Sequence, residues 1–237
     1  MATRFRNRQD AGQQLAARLP SVVVADQPGV VVALPRGGLP LGYEIAKQLN
    51  WPLEAWLVRK LGVPGQPELA MGAIALPQVR ILNSGIIEDL HISPAQVDWV
   101  TTLELEELDR RNRRYRHGAP PPDVAGKTVI LVDDGVATGA TMQVAIATVK
   151  AAHPRAIVVA VPVAAPSSLA AIQGQVDAVV CLKIPPTLRS VGQWYDDFEP
   201  VPDEVVQHLL KTAPHAPPHQ ILRPPKRMSR DRPNPTH

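Results

Sequence analysis

A chain of 237 residues with 45% hydrophobic content is long enough to bury a substantial core, in one large domain or two small ones. The formal charge of +3 is unevenly placed: residues 212–237 carry Arg223, Lys226, Arg227, Arg230 and Arg232 against Asp231 alone, so the remainder is slightly acidic and gives no protein-wide signal for a polyanionic partner. The single cysteine, Cys181, lies in the apolar run DAVVCL; this excludes an internal disulfide or thiolate metal site and reads as a buried small hydrophobe.

The first residues, MATRFRNRQD, lack the apolar core of a secretory signal, and the longest near-apolar run, 156–166, is too short to cross a bilayer. The expected location is the cytoplasm, with no membrane partner. Apolar, β-branched runs at 30–34, 53–58, 128–132, 156–161 and 177–182 read as strands buried on both faces, and 39–49, 141–152 and 166–173 read as helices between them. Strand, helix, strand at this spacing predicts an α/β fold with an open parallel sheet of about five strands flanked by helices. A further helix starts at Ser93-Pro94-Ala95-Gln96, with an N-cap, a proline at the first helical position and a glutamine three residues after the cap, and extends to about Tyr115. Its glutamates come early and its arginines late, as the helix dipole favours. With no aromatic residues interleaved, Arg110 to Arg116 read as a solvated face, and nucleic acid is not an expected partner. The domain is taken as 1–211, and 212–237, with seven prolines, as a disordered tail.

Behind the third strand comes VILVDDGVATGAT, residues 129–141. Ligands of open parallel sheets bind beyond the carboxyl ends of the strands, where Asp133 and Asp134 fall. Two adjacent carboxylates repel, and an ionised pair needs a cation, hydroxyl donors or backbone amides. The small residues that follow leave backbone N–H groups bare, Thr138 and Thr141 add hydroxyls, and the next helix points its positive end into the same space, so a phosphate fits there. No Gly-x-Gly-x-x-Gly follows a strand and no Gly-Lys-Ser/Thr follows the glycines, which excludes the dinucleotide and triphosphatase loops. A bare Asp-Asp could also be an acidic turn with a helix cap. His91, His117 and His153 lack metal-ligand spacing, so no transition-metal site is assigned.

The thirteen residues resemble the phosphoribosyl diphosphate (PRPP) loop of the type I phosphoribosyltransferases, and over about 4–210 the chain looks like bacterial stand-alone phosphoribosyltransferase-domain proteins of unsettled substrate. The resemblance implies a Mg²⁺-dependent transfer of the 5-phosphoribosyl group of PRPP to a nitrogenous base, in nucleobase salvage, with diphosphate released. Asp133 and Asp134 would hold the ribose hydroxyls, directly or through Mg²⁺, and Ala137, Thr138, Gly139, Ala140 and Thr141 the 5′-phosphate. Pro35-Arg36-Gly37-Gly38 resembles the diphosphate loop, which puts Arg36, Gly37 and Gly38 on the diphosphate and a non-proline cis peptide between Pro35 and Arg36. The stretch from Val58 to Glu68 resembles the family's mobile loop, read as a lid that brings Arg59 and Lys60 to the diphosphate. Glu68 would be an acid or base, or an exposed glutamate without a role. A small hood would come from about 1–20 and 184–211, where Trp194 and Tyr195 either stack on the base or pin the C-terminal segment to the core. One departure is Ala137, where members acting on 6-oxopurines carry an acid. The spelling is closer to adenine- and uracil-type enzymes. A homodimer is the assembly considered, and a PRPP-sensing regulator that binds nucleic acid or protein without turnover is the competing reading.

Overall fold

The aliphatic run TVILV has no polar face, and the strand it forms is buried along its whole length at the centre of a five-stranded parallel sheet. The computed structural model describes residues 4–23, 27–76, 79–120 and 122–214. The expected tail lies outside them from residue 215 onward. In chain order the elements are α1 (Arg8–Ala16), β1 (Gly29–Ala33), α2 (Gly38–Leu49), β2 (Leu53–Ala55), β3 (Val58–Val63), β4 (Gln66–Ala75), β5 (Val79–Leu82), α3 (Ser84–Asp89), α4 (Pro94–Arg116), β6 (Thr128–Val132), α5 (Ala140–Lys150), β7 (Ala156–Val163), α6 (Pro166–Gln173), β8 (Ala178–Lys183) and α7 (Asp203–Thr212).

The parallel sheet runs β2-β1-β6-β7-β8. From β1 the chain first pairs β2 on one side and later returns to pair β6 on the other. The order therefore reverses between β1 and β6, and a crevice opens beyond their carboxyl ends. Side chains alternate between two cores. Val31, Ala33, Ile130, Val132, Val158 and Ala160 pack with Leu39, Leu41 and Ile45 of α2 and Leu15 of α1. Val30, Val32, Val129, Leu131, Val159 and Val161 pack with Met142, Ile146 and Val149 of α5 and Leu169 and Ile172 of α6. Cover on both faces is why these strands read as unbroken apolar runs.

The segment read from sequence as a loop, 58–68, forms β3 and the start of β4 in a three-stranded antiparallel sheet, β3-β4-β5. The run 53–58 correspondingly ends its sheet pairing at Ala55. Leu61 and Val63 alternate inward, but Gly62, Pro64, Gly65 and Pro67 hide the period. The register shifts on both sides of Gly62, an irregularity that admits Pro67 within a strand. α4 and α5 both pack on β3, which ties this sheet to the crevice. α4 begins with the expected capping box of Ser93 and Gln96.

The hood closes from both chain ends. Phe5 bridges Tyr195, and the Phe5 and Tyr195 rings lie 5.5 Å apart. Residues 212–214, placed with the tail above, are packed: Ala213 is buried and the Pro214 carbonyl accepts from Leu53 N–H.

Ile130 is fully buried on the central strand. Its truncation to alanine is expected to lower the unfolding free energy by about 2–5 kcal/mol. Urea titration checks this: the midpoint falls while the slope stays unchanged.

Candidate active site

Both loops that carry candidate residues leave the crevice side by side, one after β1 and one after β6. Their contact explains the glycines between Arg36 and Leu39. A Cβ at position 37 would lie 2.0 Å from Asp134 Oδ2, and one at position 38 would lie 2.6 Å from the Val132 carbonyl oxygen. Only bare backbone lets the two loops touch. The Pro35–Arg36 peptide is cis, as the resemblance implied.

The carboxylate loop is braced from within and from the hood. Asp134 N–H donates to Asp133 Oδ1 at 2.9 Å. Arg8 Nε donates to Asp134 Oδ2 at 2.8 Å, its guanidinium lies 3.8 Å from the Phe198 ring centroid, and its Nη1 donates to the Glu199 carbonyl. The Tyr195 hydroxyl donates to the Asp134 carbonyl oxygen at 2.6 Å. Burial, then repulsion from Asp134, pushes the Asp133 carboxyl well above the usual carboxylate range. Burial raises Asp134 too, and its bond to Arg8 opposes the rise. One guanidinium thus stands against two crowded acids, so the loop is under-compensated for negative charge.

The turn expected to hold a phosphate runs directly into α5. Gly139 takes φ 81° as the N-cap of α5 and returns its carbonyl to Gln143 N–H, which leaves the first amides of the helix pointing out of the turn. The Ala137 carbonyl accepts from Ser168 Oγ at 2.6 Å, which fixes the turn to α6. Thr138, Ala140 and Thr141 share a cavity of about 390 Å³ with Leu34, Pro35, Arg59 and Lys60. The structure thereby brings the Thr138–Thr141 turn, the root of β3 and the first residue of the Pro35–Gly38 loop together. Arg59 pairs with Glu104 of α4. Glu68 lies in β4, and its side chain is outside the described residues.

Tyr195 takes the second of the two readings open to it. It is 3% exposed, tilted between Phe5 and Phe198, so it pins the hood to Asp134 and offers no open face to a base. Trp194 is half-buried and lines a cavity of about 380 Å³ with Arg4, Thr187 and Gln193. Lys183 Nζ stands 4.1 Å from the Phe5 ring centroid and 5.9 Å from that of Trp194. Arg8 was missed by the sequence reading. It is 126 residues from its partner, and nothing local to RFRNRQD marks one arginine among three.

The phosphoribosyl transferase domain model matches residues 6–193. Proteins of two Mycobacterium tuberculosis strains, provisionally named phosphoribosyl transferases, are 42% identical over 209 residues, which is 88% of this chain and 47% of theirs. The chain thus spans about half the length of these relatives. A crystal structure of a Thermus thermophilus protein superposes with a TM-score of 0.79 at 38% identity, over 88% of this chain and 98% of that one.

Raised carboxyl pKa values carry a stability consequence with a definite sign. The folded loop holds these protons more tightly than the unfolded chain, so their favourable contribution is complete below the ordinary carboxylate range and is lost as pH rises through the raised values. Asp133→Asn keeps the Oδ1 acceptor and removes a charge. It is expected to raise the Tm at neutral pH and to leave it near wild type in acid; thermal melts across pH check this, and no gain at neutral pH contradicts it.

Proposed function

The chain belongs to the phosphoribosyl transferase domain family, and on that premise we propose that it is a Mg²⁺-dependent phosphoribosyltransferase. It moves the 5-phosphoribosyl group of PRPP to a nitrogenous base, in nucleobase salvage, and releases diphosphate. The observation that carries this reading is the placement, on the one loop between β6 and α5, of an under-compensated carboxylate pair and a helix-capped turn of bare amides. A pentose phosphate presents the complementary groups, hydroxyl donors at one end and a monoester at the other.

Mg²⁺ takes hard oxygen donors, usually only one or two of them from protein. Asp133 and Asp134 suit that demand. Among the described residues no group of three or more His, Cys, Asp or Glu could hold a metal, so the remaining ligands would be oxygens of PRPP and water. The ion, when bound, neutralises charge on the diphosphate. The chain's own residues do the rest. Asp133 and Asp134 fix the ribose hydroxyls, Thr138 to Thr141 grip the 5′-phosphate, and Arg36, Gly37, Gly38, Arg59 and Lys60 receive the diphosphate. The bond from the anomeric carbon to the base nitrogen forms as the bond to diphosphate oxygen breaks, and the bonding pair leaves with diphosphate. The N–H proton of the base passes to water or to a carboxylate such as Glu68, since the methyl of Ala137 cannot accept it. Base placement beside Trp194 is supported by the cavity there. A cytoplasmic location and a homodimer belong to the same reading; among the described residues no helix is long and apolar enough to cross a membrane.

The competing reading, a PRPP-sensing regulator that binds nucleic acid or a protein partner, drew on the basic tail and on Arg110 to Arg116. From residue 215 onward the tail lies outside the described residues, and Arg114 and Arg116 are engaged within the fold, by Asp203 and Glu204 and by Glu54.

Incubation with PRPP, Mg²⁺ and a panel of purines and pyrimidines is expected to release diphosphate with at least one base. Replacing either aspartate by asparagine should then lower kcat/KM by about 10²–10³. Absence of release with every nitrogenous acceptor contradicts the proposal.

A further inference from the structure

The sequence presents the C-terminal half of α4 as a solvated basic face, and the fold turns part of it toward the loops. Arg111 is half-buried and lines the cavity of about 390 Å³ that holds Thr138, Ala140, Thr141, Arg59 and Lys60. It also lines a second cavity, of about 400 Å³, together with Pro35, Arg36, Arg110, Tyr115 and Asp203. Pro35 and Arg111 belong to both walls, so the cavities meet at the loop assigned to diphosphate.

The charge around the second cavity is incompletely answered. Three guanidinium groups face a single carboxylate, Asp203, which is already engaged by the Tyr115 hydroxyl at 2.5 Å, by Arg114 at 2.7 Å and by Arg36 at 3.6 Å. Arg110 and Arg111 share one further acid. Glu107 accepts from Arg110 Nε and Nη2 at 2.7 and 3.0 Å and from Arg111 Nε at 2.7 Å. These bonds hold its carboxyl down at about 2. Two cations on one anion leave a net positive charge beside a polar cavity, and the guanidinium fork matches phosphate oxygens in pairs.

We propose that α4 is a diphosphate clamp: Arg110 and Arg111, with Arg36, receive the diphosphate end of PRPP, and Glu107 is their counter-ion until it arrives. This rests on the PRPP reading of the neighbouring loops. A ligand anchored by its monoester at Thr138 to Thr141 lies in the cavity that Arg111 walls, and its second charged end reaches the adjoining one past Pro35. α4 thereby becomes part of the substrate site, through residues outside the PRPP-loop resemblance. Glu107 sets the resting state, since each arginine must shift its bonds from carboxylate to phosphate oxygens.

Calorimetric titration of PRPP, diphosphate and ribose 5-phosphate, each with Mg²⁺, into wild type, Arg111→Gln, Arg110→Gln/Arg111→Gln and Glu107→Gln tests the clamp. The double variant is expected to bind PRPP and diphosphate about 10–100-fold more weakly, from the loss of charge-assisted contacts, and ribose 5-phosphate as wild type does. Glu107→Gln, which frees both arginines, should tighten diphosphate. Circular dichroism and melting of each variant separate binding loss from unfolding, and Arg111→Lys should restore part of the affinity. Unchanged diphosphate affinity in the double variant overturns the clamp. Weaker diphosphate with unchanged PRPP also overturns it, because the cavity then takes a separate polyphosphate. Wild type that binds neither PRPP nor ribose 5-phosphate overturns the underlying reading instead.

Discussion

Burial of two adjacent carboxylates, Asp133 and Asp134, is the constraint around which the loops after β1 and β6 are arranged. Adjacent in sequence and crowded by the hood and by the loop after β1, the two acids carry more negative charge than Arg8 and one backbone N–H answer. A fold selected for stability alone would place an amide or a hydroxyl there. The loop instead keeps a pair of buried carboxylates at the carboxyl end of β6, against the stability gained in two large apolar cores.

The neighbouring parts follow from that pair. Gly37 and Gly38 lack side chains because Asp134 and the Val132 carbonyl occupy the space where a Cβ would go. The loop after β1 and the loop after β6 are therefore one packed unit at the point where strand order reverses. Tyr195, through its bond to the Asp134 carbonyl, and Arg8, through Asp134 Oδ2, carry the same unit into the hood. Binding at one end can thus be felt by elements drawn from both ends of the chain.

The parallel sheet was legible because burial on both faces writes itself as continuous aliphatic runs. Thr128–Val132 and Pro166–Gln173 were placed to the residue. The capping box at Ser93 was legible for a similar reason, since two side chains answer orphan backbone donors at a fixed spacing. The antiparallel sheet was not. Its alternation is broken by Gly62, Pro64, Gly65 and Pro67, residues that ordinarily mark a loop, and the irregular register that accommodates them appears only when β4 is paired. At the candidate site, Asp133 to Thr141 stood out as candidates because their chemistry is contiguous. Arg8 and Arg111 did not, because their relevance is a matter of which surfaces the fold brings together. For Tyr195 the sequence left base stacking and pinning of the C-terminal segment equally open, because the partners of its faces and its hydroxyl lie far away along the chain.

Proton release measures the carboxylate pair most directly. PRPP with Mg²⁺ is titrated calorimetrically into the protein in buffers of differing ionisation heat, from mildly acid to neutral pH. The account predicts that protons leave the protein on binding at the acid end of this range, because the ligand favours the ionised pair, and that Asp133→Asn abolishes most of the release. Binding with no proton exchange at any pH, or release that survives replacement of both aspartates by asparagine, contradicts it.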